Sequence, residues 1–272
     1  MNCKVALTIA GSDSGGGAGI QADLASFSAM GVFGTSAVTA LTAQNPKGVG
    51  KVAVTPLDVI EAQIRQVMDF FPVSAVKTGM LPTVGCVELV AGLLDYYRGL
   101  HKFELVVDPV LVSTSGQKLS GEGVLEVYRE RLFPLADVVT PNLRETTAIM
   151  GWEPRNLTML EQAGLELAQT YRMGSLLKGG HFSGHDATDV LVTRTGQARL
   201  FVSARVSGVD SHGSGCSLAS AVAACLAQGY DLEQSVGYAK SFIDTGFSEP
   251  VKIGGTKYLR RIPGLYDGRG WT

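Results

Sequence analysis

Two glycine-rich segments of this 272-residue chain have the residue types that bind phosphate. The first, GSDSGGGAGIQAD at residues 11–23, holds five glycines with Asp13 and Asp23 towards its ends. The second, DSHGSGCS at residues 210–217, leads into a run of small residues. Glycine lets the backbone approach a ligand closely, and a helix that begins after such a loop presents free N–H groups to an anion. One glycine alone would indicate only a flexible turn, but this density favours a binding loop.

The second segment suits a phosphoryl group in transfer. Gly213, Ser214 and Gly215 are predicted to form an anion hole from consecutive backbone amides. Cys216 then falls in the first turn of the following helix, where the helix dipole lowers a thiol pKa and favours a thiolate that could act as a base. A free cysteine is more commonly a small buried apolar residue, which is what we expect of Cys225. The neighbouring anion hole favours a catalytic role for Cys216.

Charged residues follow three predicted strands. Asp108 and Glu145 are candidate ligands of Mg²⁺, which prefers few carboxylates together with water and substrate phosphates. Lys178 follows a later strand and could reach a phosphate. Taken singly, Asp108 could cap a turn, Glu145 could be a solvated residue of a helix start, and Lys178 could mark an ordinary strand exit. Their shared position at strand ends favours the functional interpretation.

Other nucleotide and metal motifs fit poorly. Gly17, Gly19 and Ala22 match a relaxed dinucleotide fingerprint, but the acidic residue expected roughly 20 positions later is missing, because no Asp or Glu occurs between Asp23 and Asp58. A GxxxxGK[ST] phosphate loop is also absent from the sequence. His181 and His185 are four residues apart without an evident third ligand, so a zinc site there is improbable.

Strand and helix patterns alternate along most of the chain. Short apolar or β-branched runs predict strands, and apolar residues at helical spacing predict helices between them. Predicted strands are residues 4–10, 35–43, 74–78, 104–107, 137–140 and 175–177, and predicted helices are residues 18–30, 56–70, 83–98, 121–132, 157–172, 215–227 and 232–247. Residues 190–193 and 198–202 read as a hairpin around Thr195 and Gly196. This order predicts an α/β fold with three layers, a mostly parallel central sheet and an antiparallel edge. We expect one domain over residues 1–272, with an irregular tail at 253–272.

Composition excludes several classes of protein. The formal net charge is −2, and we find no basic stripe of the kind that binds nucleic acid. The apolar run at residues 1–10 is too short for a signal sequence or a membrane span. Four scattered cysteines without CxxC spacing indicate free thiols in a reducing compartment. We therefore expect a cytoplasmic protein with no nucleic-acid or membrane partner.

Seven ordered stretches resemble the hydroxymethylpyrimidine/phosphomethylpyrimidine kinases of thiamine biosynthesis, in the ribokinase-like superfamily. They are LTIAGSDSGGGAGIQADL at 7–24, TALTAQN at 39–45, KTGML at 77–81, VDPV at 107–110, TPNLRE at 140–145, LKGGH at 177–181 and HGSGC at 212–216. The resemblance covers residues 6 to about 247. It implies a ribokinase-like fold, ATP and Mg²⁺ as cofactors, a homodimer, and two successive phosphorylations of 4-amino-5-hydroxymethyl-2-methylpyrimidine and its monophosphate.

The resemblance also implies roles for individual residues. Gln44 would hydrogen-bond the aminopyrimidine edge, Asp23 would lie near the hydroxymethyl group, and Gly11 and Met80 would line the pyrimidine pocket. Cys216 would take the position of the catalytic base. The remaining roles are divided between nucleotide and metal: Lys178, Asn142 and His212 for ATP, and Asp108 and Glu145 for Mg²⁺.

The chain departs from the family pattern at three places. Ser214 stands where the family usually has Thr, which keeps the hydroxyl group. Asp210 and Ser211 replace the usual Asn-Thr, which adds a negative charge near ATP. Residues 254–272 lack the family's usual Gly-Pro and His-rich ending, a departure that concerns the last strand and the nucleotide edge.

Two other functions are compatible with the same pattern. A pyridoxal or pyridoxine kinase would share the architecture, but we expect an apolar residue such as Met at position 44 in that specificity, whereas Gln44 offers a donor and an acceptor to an aminopyrimidine. A non-catalytic pyrimidine sensor would keep the pocket without turnover. Nothing evident in the sequence is missing from the phosphate site, which favours the enzyme.

Overall fold

The computed structural model describes residues 3–111, 121–180, 182 and 186–261. The helices and strands of this part of the chain alternate largely as predicted. The strands are β1 (Val5–Asp13), β2 (Phe33–Asn45), β3 (Gly48–Val54), β4 (Val73–Thr78), β5 (Glu104–Val107), β6 (Val138–Val139), β7 (Gly174–Leu177), β8 (Asp186–Val192), β9 (Ala198–Ala204), β10 (Val251–Ile253) and β11 (Thr256–Tyr258). The α-helices are α1 (Gly19–Ala29), α2 (Leu57–Met68), α3 (Val84–Arg98), α4 (Val124–Val127), α5 (Leu143–Met150), α6 (Leu157–Tyr171), α7 (Ser214–Ala227) and α8 (Leu232–Ser248).

Nine strands form one sheet in the order β3-β2-β1-β4-β5-β6-β7-β8-β9. The six central strands, β2 to β7 in that order, are parallel, whereas β3, β8 and β9 join antiparallel. The predicted hairpin is confirmed as β8 and β9. A second antiparallel edge pairs β2 with β3, and β3 was not among the predicted strands. β3 is almost wholly exposed and therefore lacks the alternating pattern that identifies a half-buried strand.

Each face of the sheet has its own apolar core. On one face, α2, α3, α5 and α6 pack through buried side chains such as Ile64, Leu94 and Leu160. On the other, α1, α7 and α8 pack through Phe27, Val222 and Val236. Helix α7 is almost entirely buried and rich in Ala and Ser. Small side chains let a helix approach the sheet closely, so α7 brings its N-terminus to the strand ends.

The carboxyl-terminal region is more ordered than predicted. Residues 253–261 were expected to be irregular, but β10 and β11 form an antiparallel hairpin, followed by the buried Leu259. The residues beyond 261, like His181 and His185 of the improbable zinc site, lie outside the described residues. No helix among the described ranges has the length and apolar character needed to cross a membrane.

Candidate active site

A cavity of about 510 Å³ lies where the carboxyl ends of the parallel strands meet the start of α7. This edge is where open α/β sheets bind ligands. Ten of the thirteen predicted site residues line it: Gln44, Asp108, Asn142, Glu145, Lys178, His212, Gly213, Ser214, Gly215 and Cys216. Gly11, Asp23 and Met80 are not among the described lining residues.

The two glycine loops touch at the start of α7. Gly213 precedes the helix with φ of 76°, a left-handed conformation that favours glycine. A Cβ atom at Gly213 would come within 1.7 Å of the carbonyl oxygen of Gly17. The second loop therefore packs directly on the first, and any side chain at Gly213 would separate them.

The amides of this helix start are only partly committed to the protein. The Ser214 amide donates to the Ser211 carbonyl at 3.0 Å, which removes it from the predicted anion hole. Within the described part of the chain, the amides of Gly215 and Cys216 make no hydrogen bond to a protein acceptor. The first N–H groups of a helix lack intrahelical partners, so these two amides are the donors that remain for an anion.

The Cys216 thiol differs from the predicted thiolate. Burial is the dominant influence and raises the pKa of Cys216, while the nearby Lys77 ammonium and a hydrogen bond from the Gly19 amide act in the opposite direction. The net result is a raised pKa, so the expectation that the helix dipole would favour a thiolate at rest was wrong. Removal of water from the thiol outweighs the helix start. Cys225 is buried in α7, as expected of an apolar cysteine.

Asp23 is occupied by the protein itself. Its carboxylate is fully buried, pairs with Lys77 at 2.9 Å, and accepts from the hydroxyl groups of Thr8 and Ser220 at 2.6 and 2.7 Å. Burial works against the Lys77 charge, but Asp23 outweighs it and raises the pKa of Lys77. A direct contact between Asp23 and substrate stays a prediction, and these contacts assign the carboxylate to a buried network under the cavity.

Asp108, Lys178 and Glu145 form a charged cluster on one wall. Lys178 Nζ lies 3.0 Å from Asp108 Oδ1, which also accepts from the Thr140 hydroxyl at 2.9 Å. Glu145 and Asn142 form the capping box that begins α5, so the helix start itself holds Glu145 in place. Burial raises the pKa of Glu145 to about 7, against the opposing effect of Lys178.

This cluster fits a hard divalent cation. Two nearly fully buried carboxylates share one neighbouring ammonium group, which leaves negative charge when both are ionised. A carboxyl group held close to neutrality by burial is one whose ionised form a cation would stabilise. The described residues contain no group of three or more His, Cys, Asp or Glu side chains that would enclose a metal. The donor set suits Mg²⁺ held by few carboxylates together with phosphate oxygens.

Gln44 and His212 connect β2 with the second glycine loop. Gln44 Nε2 lies 3.3 Å from His212 Nε2, which is also 2.9 Å from Asp13 Oδ2. Burial raises the pKa of Asp13, but hydrogen bonds from His212 and from two loop amides outweigh it, and the net pKa is lowered. Asp13 therefore carries a charge that fixes both loops. The Ser14 hydroxyl donates to the Gln44 carbonyl at 2.9 Å, which places Gln44 at the cavity wall.

Gly11 and Met80 lie together beside the first loop. A Cβ atom at Gly11 would come within 2.6 Å of Met80 Cε, so the buried methionine occupies the space that a larger residue would need. The Gly11 carbonyl also lies close to Gly19, whose amide interacts with the Cys216 sulfur. Their predicted role in a pyrimidine pocket stays a prediction.

Some site residues have no local sequence signal. Asp13 lies in the first glycine loop and Lys77 in the KTGML stretch, but the sequence alone assigns neither residue a role. Lys240 pairs with Asp189 at 2.9 Å in another part of the cavity, although they are 51 positions apart. Arg261 comes from the tail and bonds both glycine loops. Lys240, Asp189 and Arg261 are identified only by their hydrogen bonds in the folded chain.

Comparison with known proteins agrees with this geometry. A family model described as phosphomethylpyrimidine kinase matches residues 13–259. A hydroxymethylpyrimidine/phosphomethylpyrimidine kinase of Streptomyces coelicolor is 43% identical over 249 residues, 92% of this chain and 90% of that protein. A chloroplastic thiamine biosynthetic bifunctional enzyme of Arabidopsis thaliana is 41% identical over 252 residues, 91% of this chain and 48% of that enzyme. The chain spans about half the length of that bifunctional relative.

Two solved structures have the same fold. A phosphomethylpyrimidine kinase from Clostridium difficile is 38% identical with a TM-score of 0.78, covering 89% of this chain and 98% of that chain. A pyridoxal kinase from Bacillus subtilis, solved as an ADP complex, is 33% identical with a TM-score of 0.87, covering 96% of this chain and 98% of that chain. The three-layer architecture predicted from the sequence is therefore confirmed.

Proposed function

The chain belongs to the phosphomethylpyrimidine kinase family, and from that premise we propose that it uses ATP to phosphorylate 4-amino-5-hydroxymethyl-2-methylpyrimidine and then its monophosphate, in thiamine biosynthesis. The observation that supports this proposal most directly is the arrangement at the start of α7. There the amides of Gly215 and Cys216 and the Cys216 thiol share one cavity with Lys178 and Gln44.

The geometry supports an in-line transfer. In the first reaction the hydroxymethyl oxygen attacks the γ-phosphorus, the bond from phosphorus to the β,γ-bridging oxygen breaks, and ADP leaves. The hydroxyl proton passes to the deprotonated sulfur of Cys216. The amides of Gly215 and Cys216 stabilise charge on the phosphoryl oxygens, and Lys178 adds a positive charge on the same wall. The protein therefore contributes mainly position and charge.

Asp108 and Glu145 would hold Mg²⁺ with the nucleotide. The cation supplies neutralisation of phosphate charge when it is bound. Asn142 fixes Glu145 through the capping box, and Asp108 keeps Lys178 in place. These contacts keep the charged wall ordered before substrate arrives.

Gln44 supports the choice of an aminopyrimidine. Its amide lies at the cavity wall, and its backbone is fixed by Ser14. An amide presents a donor and an acceptor, which matches the amino group and ring nitrogen of the pyrimidine. A site built to pair with polar atoms discriminates strongly against a compound that lacks them.

ATP consumption by purified protein tests the proposal. The panel should contain hydroxymethylpyrimidine, its monophosphate and pyridoxal, each with MgATP. We expect the highest kcat/KM for the two pyrimidines and formation of the diphosphate from the second. Binding of pyrimidine without ATP consumption would instead establish the non-catalytic sensor.

Phosphorylation of pyridoxal is the second candidate function, because the B. subtilis pyridoxal kinase superposes on this chain with a TM-score of 0.87. Its identity of 33% is lower than the 38% of the C. difficile phosphomethylpyrimidine kinase. Changing Gln44 to Met should lower kcat/KM for the pyrimidine by about 10- to 100-fold and leave pyridoxal less affected. A clear preference of the unchanged protein for pyridoxal would overturn our assignment.

A homodimer stays part of the proposal. Val52 and Val54 of β3 are exposed apolar side chains on one face of the β2–β3 edge, and Leu41 of β2 is exposed on the other face. Exposed apolar groups at a sheet edge support an interface there. Light scattering of the purified protein checks the dimer, and a mass equal to one chain of 28.6 kDa would contradict it.

A further inference from the structure

Arg261 reaches the transfer site from the far end of the chain. The hairpin of β10 and β11 leads to Leu259, which is buried against Gly246 of α8. The Arg260 amide then donates to the Gly246 carbonyl at 3.0 Å. These two contacts fix the backbone immediately before Arg261. The side chain of Arg261 is thereby placed over the start of α7.

The guanidinium of Arg261 bonds both glycine loops at once. Its Nη2 donates to the Gly17 carbonyl at 2.6 Å and to the His212 carbonyl at 3.3 Å. Its Nε donates to the Ser217 hydroxyl at 2.6 Å, and that hydroxyl donates to the Gly213 carbonyl at 2.8 Å. A planar guanidinium can satisfy several acceptors in fixed directions, which a lysine ammonium cannot reproduce.

The charge of Arg261 also lies close to the start of α7 and to the Cys216 thiol. Burial lowers the pKa of Arg261, and the nearby Cys216, Asp23 and Asp13 oppose that effect. Guanidinium stays protonated in proteins. Among the described residues, Arg261 forms no ion pair with a carboxylate. Its positive charge therefore acts on the Cys216 thiol, whose neighbour Ser217 it bonds.

We propose that Arg261 is a positioning residue for phosphoryl transfer, which holds the Gly17 loop against the Gly213 loop and adds positive charge beside Cys216. The inference rests on the proposed kinase function. It assigns a role to the part of the chain that departs from the family pattern, residues 254–272. The tail therefore supplies a contact that joins the two glycine loops at the start of α7.

The test compares R261A, R261K and the control R260A in the same assay. Arg260 pairs with the exposed Glu249 and is the neighbouring arginine in the chain. We expect R261A to lower kcat by about 100-fold with little change in KM for the pyrimidine, because small displacements of reacting groups are costly. R261K should lose about 10-fold, and R260A should match the unchanged protein.

Two further measurements separate positioning from stability. R261A should move the rise of kcat with pH to higher pH, because a cation beside the thiol is lost, whereas R261K keeps the charge and leaves that rise in place. Added guanidinium ion should restore part of the activity of R261A but none of that of C216A. Thermal unfolding of each variant monitors the fold.

The outcomes are distinguishable from failure of the proposed function. An unchanged protein that phosphorylates no member of the panel would refute the kinase assignment itself. If the unchanged protein is active and both R261K and R261A are equally active, only the role of Arg261 is overturned. If R261A is too unstable to purify, R261K decides alone, and an unchanged kcat would overturn the inference.

Discussion

Lys77 on β4 and Asp23 on α1 form an ion pair in which the ammonium nitrogen lies 2.9 Å from both carboxylate oxygens. Both side chains are fully buried. Thr8 of β1 and Ser220 of α7 donate to the same carboxylate, so one acidic group joins two strands and two helices. The network supports the cavity where the sheet meets α7.

Replacing Asp23 with Asn should therefore destabilise the whole protein. The change leaves the Lys77 charge buried without its partner, and loss of one member of a buried pair costs about 3–5 kcal/mol. Urea unfolding measures the loss. Glu61 to Gln breaks the exposed pair with Arg65 and should cost less than about 1 kcal/mol. Similar small losses in both variants would show that Asp23 does not support the fold.

Changing Cys216 to Ala should separate the two phosphorylations. The alcohol of the first substrate must lose a proton, so its kcat should fall by about 100-fold or more. The phosphate of the second substrate is already largely ionised at pH 7, because its second pKa is about 6. The second reaction should lose much less. Equal losses in both reactions would exclude Cys216 as the base.

The same thiol predicts a pH dependence. Because burial raises the pKa of Cys216, the deprotonated fraction grows as the pH rises through the alkaline range. The first phosphorylation should accelerate over that range, whereas the second, which needs no base, should not. Rates measured with each substrate across pH provide the comparison. A first reaction that is insensitive to alkaline pH would contradict deprotonation by this thiol.

Gly213 to Ala should damage catalysis beyond its effect on the backbone. The left-handed φ of 76° costs a side chain about 1–2 kcal/mol. Gly151 has the same φ of 76° with no atom within 4 Å of a Cβ, so G151A is a matched control for backbone strain alone. G213A adds the overlap with the Gly17 carbonyl and should lower kcat by about 100-fold. Equal activity of the two variants would contradict contact between the loops.

Glu145 should make stability fall as pH rises. Its pKa is raised from 4.5 to about 7 by burial, so the folded protein holds a proton that the unfolded chain releases. The stabilisation is fully present below pH 4.5 and is lost as pH rises through about 7. Relative to E145Q, the unchanged protein should lose free energy of unfolding between pH 5 and pH 8, measured by urea unfolding without nucleotide. The exposed E153Q should show no such difference.

Most of the sheet was predictable because its strands leave local patterns. β4, β5 and β7 are short buried runs, and α2 and α3 repeat apolar residues at helical spacing. The prediction missed β3, whose exposed residues carry no alternation, and α5, which is eight residues long. It also missed the β10–β11 hairpin, where pairing rather than pattern determines the strands.

The site was predictable where residues follow strand ends in order. Asp108 and Lys178 come directly after parallel strands, and Asn142 follows the end of another by three positions, so their convergence follows from the topology alone. The Cys216 pKa was predicted in the wrong direction, since the helix dipole is a local feature but burial depends on everything packed around the thiol.

The side chains and amides that could bind a phosphate are recognisable in the amino-acid sequence, because glycine loops, helix starts and strand ends are identified over a few neighbouring residues. Which of these groups remain available depends on how the chain packs. Asp23 forms an ion pair with Lys77, and the Ser214 amide donates to Ser211. Arg261 bonds the second glycine loop at His212 although the two residues are 49 positions apart in the chain. Burial and long-range contact are properties of the packed chain, and no local pattern contains them.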